Sequence, residues 1–211
     1  MTLSEYLADA ASKLDKAGIH TARLDAEVIT AHKLGFERYK LITDAKRELT
    51  PAEISSIDKL INRRLKSEPV AYITGVKEFY ALDFIVTKDV LIPRPETELL
   101  VDMAIYWAPM NCTVLDLCAG SGAIAVSLKK NRPDLTVIAS DISGMALDVA
   151  RENAEKHLGP GRIAFLHGDL FSTVKGKVFD LIVSNPPYVD IELKGTLQRE
   201  LDYEPLQALY C

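Results

Sequence analysis

Apolar residues recur at helical spacing through the first seventy positions. Leu3, Leu7, Ala10, Ala11 and Leu14 share one face of a helix that runs to about Lys16 and stops at Gly18. Ahead of it, Thr2 and Glu5 have the spacing of a capping box, in which the threonine side chain and the glutamate carboxylate satisfy free backbone donors. A second helix over 21–34 aligns Leu24, Val28, Ala31 and Leu34, with Ile29 beside them, and ends at Gly35. A short helical piece is predicted around Tyr39 to Ile42. Thr50 and Glu53 repeat the capping-box spacing and add Pro51 at the first helical position, where its missing N–H costs nothing. Ile54, Ile57, Leu60, Ile61 and Leu65 then give a fourth helix its buried stripe, with Pro69 marking its end.

From Val70 the texture changes. β-Branched and aromatic residues at 71–75, 78–80 and 84–86 predict short strands and a hairpin. Apolar strand-sized runs then alternate with helical stretches: strands at 113–117, 136–139, 163–166 and 179–183, and helices at 123–130 and 145–157. Strands too apolar to have a wet face, alternating with helices, predict a parallel sheet covered by helices, an α/β domain behind a small helical bundle. The expected boundaries are 1–69 for the bundle, 70–92 for a hairpin linker and 93–211 for the α/β domain.

At 211 residues, with 48% hydrophobic and 26% charged residues, the chain is long enough for a core and excludes disordered, collagenous and disulfide-scaffold classes. No apolar run reaches the length of a membrane span and no signal peptide is legible, so a cytoplasmic location is expected. Cys112, Cys118 and Cys211 form no C-x-x-C pair, and the four histidines show no ligand spacing; no metal is assigned. The net charge of −5 is carried by the part beyond residue 70. Arg63, Arg64 and Lys66 form a local basic group, read as a solvated helix face in preference to a nucleic-acid contact.

The first strand of the alternating series ends in Cys118-Ala-Gly-Ser-Gly122. Gly120 and Gly122 let the backbone turn sharply and approach a ligand where the next helix begins and its N–H groups point outward. Asp141 follows twenty-one positions after Gly120, at the end of the second strand, where a carboxylate can accept both hydrogen bonds of a ribose diol. The same spacing satisfies a loose dinucleotide fingerprint, which leaves NAD open, and a plain turn with Asp141 as a helix cap remains the structural alternative. At the end of the third strand, Asp169 and Leu170 suit an adenine amine and its ring face, or else Asp169 caps a short turn.

The stretch 179–184 leads into Asn185-Pro186-Pro187-Tyr188. Two prolines fix φ and disfavour helix before them, so Asn185 is held extended at the sheet edge. This site suits methyl transfer to a planar, conjugated NH₂ group, whose delocalised lone pair makes it a poor nucleophile. The Asn185 side-chain oxygen and the Pro186 carbonyl would grip the two hydrogens while Tyr188 covers the flat face. A sulfonium donor already carries its leaving group, so positioning can supply much of the acceleration. A stiff turn is the alternative reading.

These residues, with 69–73, 78–80, 90–98 (Val-Leu-Ile-Pro-Arg-Pro-Glu-Thr-Glu) and 203–206 (Tyr-Glu-Pro-Leu), make the chain resemble the release-factor glutamine methyltransferases, the HemK/PrmC family. The resemblance implies a class I S-adenosylmethionine-dependent methyltransferase domain that methylates the glutamine amide in the Gly-Gly-Gln motif of peptide chain release factors. With that Rossmann-like domain it implies that Cys118, Ala119, Gly120, Ser121 and Gly122 line the methionine and ribose region, that Asp141 holds the ribose and that Leu170 lies near adenine. Asn185 would face both cofactor and substrate, Pro186, Pro187 and Tyr188 would complete the substrate grip, and the helical domain would recognise the release factor. From the residues alone, Glu96 and Glu98 favour the positive end of a helix begun at Pro95, Arg94 could reach a carboxylate across the cleft, and Thr97 is a possible wall.

Two features depart from the family pattern. Cys118 stands where its loop usually begins with glycine, adding a side chain near the cofactor. The family's sheet has seven strands, three of them after the Asn-Pro-Pro-Tyr strand, so the domain is expected to be C-terminally incomplete and the chain to be part of a longer one, with an apolar edge at the fourth strand. Competing functions are methylation of the exocyclic amine of adenine in nucleic acid, against which the acidic domain counts, an NAD-dependent oxidoreductase, which gives Asn185 to Tyr188 no task, and a non-catalytic module that binds cofactor or release factor.

Overall fold

The structure, a computed structural model, describes residues 1–211 and contains two compact units, Met1–Thr74 and Gly75–Cys211. The first unit comprises α1 (Leu3–Lys16), α2 (Ala22–Leu34), α3 (Lys40–Thr43), α4 (Pro51–Arg64) and α5 (Val70–Thr74). Both capping boxes form: the Thr2 and Thr50 hydroxyls accept the Glu5 and Glu53 N–H groups, and each glutamate accepts the N–H of its threonine. Arg47 also binds Glu53 and, with the Thr50 N–H, holds its carboxyl down at about 2. Leu3, Tyr6, Leu7, Ala10, Leu14, Ile29, Ile57 and Ile61 form the core.

Three expectations for this unit fail. Residues 70–74 are helical, because Tyr72 and Ile73 donate to the Pro69 carbonyl and Ile73 packs into the bundle core; burial overrides β-branched propensity. The buried face of α2 is rotated from the expected one: Leu24 is 45% exposed, whereas Asp25, Ala26, Ile29 and Thr30 are buried. The basic group loses one member, for Arg64 is 3% exposed and donates to Asp25 at 2.6 Å; Arg63, which binds Glu68, and Lys66 stay on the solvated side. The Asp25–Arg64 pair is what turned α2, since a buried guanidinium requires its carboxylate on the inner face.

The second unit begins with a hairpin, β1 (Val76–Phe79) and β2 (Leu82–Ile85). Its turn residues Tyr80 and Ala81 take φ of 52° and 56° and donate their N–H groups to Glu98 and Glu78. Next come α6 (Thr97–Trp107), β3 (Thr113–Leu117), α7 (Ala123–Asn131), β4 (Thr136–Asp141), α8 (Gly144–Leu158), β5 (Ala164–His167) and β6 (Leu181–Ser184), and then two short 3₁₀ turns and α9 (Leu206–Leu209). The four later strands form a parallel sheet ordered β5-β4-β3-β6. β6 is paired with β3 alone, and its Ile182 is 47% exposed, as the expected apolar edge requires. The register aligns Leu117 with Ser140 and Ser184, and Asp141 with His167, so Cys118, Asp141, His167 and Asn185 emerge as one row at the carboxyl edge.

Removing one member of a buried ion pair strands the charge of the other. Asp25→Ala is therefore expected to lower the unfolding free energy of the helical unit by about 3–5 kcal/mol, and the double variant Asp25→Leu/Arg64→Met to recover most of the loss. Urea denaturation followed by circular dichroism checks both.

Candidate functional site

A cleft of about 320 Å³ opens at that carboxyl edge. Its floor is the turn from β3 into α7, with Cys118, Ala119, Gly120 and Ser121; one side carries Asp141, Ile142 and Ser143, the other Asn185 and Pro187. The segment 88–97 and the C-terminal Pro205, Gln207 and Ala208 complete its walls.

The floor is held by hydrogen bonds that the strand pattern alone does not reveal. Asp141 accepts the Gly120 N–H on one carboxylate oxygen at 2.8 Å and the Ser143 N–H on the other at 2.9 Å. The helix cap is Ser143, which accepts the Ala146 N–H, and Asp141 instead ties the two loops together. Each Asp141 oxygen keeps a lone pair, as a diol would require. Behind the turn, buried Asn153 of α8 donates to the carbonyls of Ser121 and Ile85 and accepts the Ile85 N–H, fastening loop and hairpin to one helix. Gly122 has a φ of 78°, and a Cβ there would meet Ala150 at 3.0 Å, so the helix packing itself demands glycine.

Cys118 lines the cleft and takes a φ of 64°, the left-handed conformation that glycine adopts freely. Burial pushes its thiol up, against the Ser184 hydroxyl, and the carboxylates of Asp141, Asp116 and Asp169 add to the rise. These influences disfavour the thiolate, the reactive form of the group. Asp116, a carboxyl inside the central strand, escaped the sequence reading, although a lone acid in an apolar strand is the signal that marks it. Fully buried, it accepts the Ala125 N–H at 3.0 Å on one oxygen. Burial pushes its carboxyl up to about 7, with the Ala125 N–H opposing and the Asp141 charge adding to the shift.

Of the residues singled out in the sequence, Cys118, Ala119, Gly120, Ser121, Asp141, Asn185 and Pro187 line one cleft. Gly122 caps α7 just behind them. Pro186, Tyr188, Asp169 and Leu170 are not among the lining residues; Tyr188 is 72% exposed, and Leu170 starts a 3₁₀ turn with a φ of 41° and its side chain half exposed. Asp169 precedes that turn without capping it through its side chain. Arg94 does reach a carboxylate, donating to Glu204 at 2.5 Å, and the second Glu204 oxygen accepts the Ile92 N–H. Thr97 lines the cleft, and its hydroxyl accepts the Asn185 carboxamide N–H at 3.4 Å.

Comparison with known proteins agrees with this geometry. The PrmC N-terminal domain family matches residues 5–75, and the methyltransferase small domain family matches residues 96–200. The release factor glutamine methyltransferase of Escherichia coli is 39% identical over 99% of this chain and 75% of its own length; that of Leptospira interrogans is 45% identical over 93% and 71%. The chain belongs to the release factor glutamine methyltransferase family. It also matches the bifunctional methyltransferase of Rickettsia conorii, 38% identical over the whole chain, and spans 45% of the length of that protein. The first match is nearly coextensive with the helical unit, and the second falls within the sheet unit, after its hairpin.

The buried acid carries a pH signature. The native state keeps the Asp116 proton between the ordinary carboxylate value of 3.8 and about 7, where the unfolded chain has released it. The Asp116 contribution to stability is whole below that window and declines by roughly 1.4 kcal/mol per pH unit as pH rises through it. Asp116→Asn is expected to flatten this slope, which urea midpoints of the two proteins across the window would show.

Proposed function

We propose that this chain binds S-adenosylmethionine in the cleft at the carboxyl edge of the sheet and methylates the side-chain amide nitrogen of the glutamine in the Gly-Gly-Gln motif of peptide chain release factors. The observation that carries the reading is the placement of Asn185 and Asp141 on opposite sides of one cleft floored by the glycine-rich turn.

The residues suit the cofactor. The cleft volume is in the range of small-molecule sites, Asp141 has lone pairs to spare for a ribose diol, and the turn at Gly120 exposes backbone where a Cβ would meet no other atom within 4 Å. When bound, S-adenosylmethionine supplies a methyl carbon activated by the positive sulfur it leaves. The chain supplies placement. The Asn185 oxygen accepts one hydrogen of the target amide and the Pro186 carbonyl the other, which aims the nitrogen lone pair at the donor. Pro187 stiffens that corner and Tyr188 lies against the flat face of the amide. Asp169 and Leu170 are assigned to adenine, a role that calls for the exposed turn they begin to move toward the cleft. The helical unit recognises the body of the release factor. No helix is long and apolar enough to cross a membrane.

Incubation with labelled S-adenosylmethionine and an unmethylated release factor should add one methyl group to that glutamine, read by peptide mass spectrometry. Label on nucleic acid in place of the release factor would overturn the assignment. Asn185→Ala is expected to reduce turnover by about a hundredfold or more while donor affinity stays within about threefold, because the missing acceptor acts on the amide in the transition state. Asp141→Asn should weaken donor binding by about ten- to a hundredfold, the worth of a charge-assisted hydrogen bond; calorimetry with the donor product separates the two effects.

A further inference from the structure

A carboxamide presents two ends of nearly equal shape and opposite hydrogen-bond sense. If Asn185 is to accept a hydrogen from a substrate amide, its NH₂ end must be engaged elsewhere, for otherwise a rotation by half a turn would present a donor to a donor. The structure supplies a partner for that end, Thr97, whose Oγ1 lies 3.4 Å from Asn185 Nδ2. Both residues line the cleft, and they come from distant stretches, the first turn of α6 and the corner after β6.

We propose that Thr97 is a positioning residue for methyl transfer: its hydroxyl takes the Asn185 NH₂ end and leaves the carbonyl end turned to the substrate. The inference rests on the function assigned to Asn185 above. The anchor is a firm one. The Thr97 N–H is donated to the Arg94 carbonyl at 3.0 Å, and the Arg94 guanidinium is bound to Glu204, whose side chain is 1% exposed. Glu204 also receives the Ile92 N–H, so residues 92–97 are held at both ends. On the other side, the Ser184 hydroxyl donates to the Leu117 carbonyl at 2.7 Å and fixes the strand end from which Asn185 projects. Two anchored segments thus meet at one hydrogen bond of 3.4 Å, in which the carboxamide NH₂ donates and the hydroxyl accepts.

Thr97→Val keeps the shape and removes the hydroxyl; Thr97→Ser keeps the hydroxyl and removes the methyl. The valine variant should lose about ten- to a hundredfold in kcat, the usual effect of a misplaced reacting group, with donor affinity unchanged within about twofold. The serine variant should recover kcat to within about threefold of the parent protein. Independently of activity, the Asn185 side-chain NH₂ signals in a nitrogen-15 spectrum of the free protein should be dispersed, should show a contact to Thr97, and should collapse toward solvent-exposed values in the valine variant alone. A valine variant with full kcat, or a serine variant as impaired as valine, would overturn the proposal, as would unshifted Asn185 signals. If the parent protein transfers no methyl group to a release factor, the functional reading falls, while the spectrum still decides whether Thr97 orients Asn185.

Discussion

The register between parallel strands is the constraint on which the site depends. β3 lies between β4 and β6, and pairing Leu117 with both Ser140 and Ser184 leaves the next residues, Cys118, Asp141 and Asn185, side by side at one edge. Strand side chains alternate between faces with a period of two, so a slip of one residue in either pairing would bury one of these groups and expose an apolar neighbour. The apolar faces of the strands, packed under α7 and α8, make such a slip costly. The same burial that holds the core therefore brings together three groups that lie far apart in the chain.

That arrangement also explains what could be read from the sequence and what could not. The whole of α1 and the start of α4 are legible from their stripes and capping boxes, because local hydrogen bonds and burial agree there, whereas α4 ends at Arg64, ahead of the Pro69 that the sequence suggests. The glycine turn, Asp141 and Asn185 were legible because each marks the end of an apolar strand run. The failures share a cause, namely a distant partner. Leu24 reads as a core residue, but Arg64 holds Asp25 inward; 71–75 reads as extended, but the bundle takes Ile73; and nothing local marks Asn153 as the residue that serves both Ser121 and Ile85. A local pattern cannot specify a partner dozens of positions away.

Local strain concentrates at the cleft. Cys118 adopts a left-handed backbone at a cost of about 1–2 kcal/mol relative to its preferred conformations, and Asp116 two positions earlier keeps a carboxyl in the centre of the sheet. Both lie between a sheet that needs apolar strands and a turn that needs tight geometry. The Asp116 carboxyl offers one oxygen to the Ala125 N–H, one of the donors that a helix leaves unsatisfied in its first turn, and so ties the strand to the helix whose amino end faces the cleft. The raised titration of that carboxyl is the electrostatic counterpart of its position.

The segment 90–98 gains its meaning from what it touches. Ile92 and Arg94 bind Glu204, Thr97 binds Asn185, and Glu98 accepts the N–H of Tyr80 in the hairpin turn. Its two prolines restrict the backbone between these contacts, so four otherwise separate pieces, hairpin, α6, the Asn-Pro-Pro-Tyr corner and the C-terminal segment, are joined through one stiff strip. Glu78 and Tyr80, Arg94 to Glu98, Asn185 and Glu204 are then parts of a single frame around the cleft. These contacts fix the wall of the cleft that carries Asn185 relative to its floor, the glycine turn, and a site that works by positioning depends on such supporting contacts to hold its geometry.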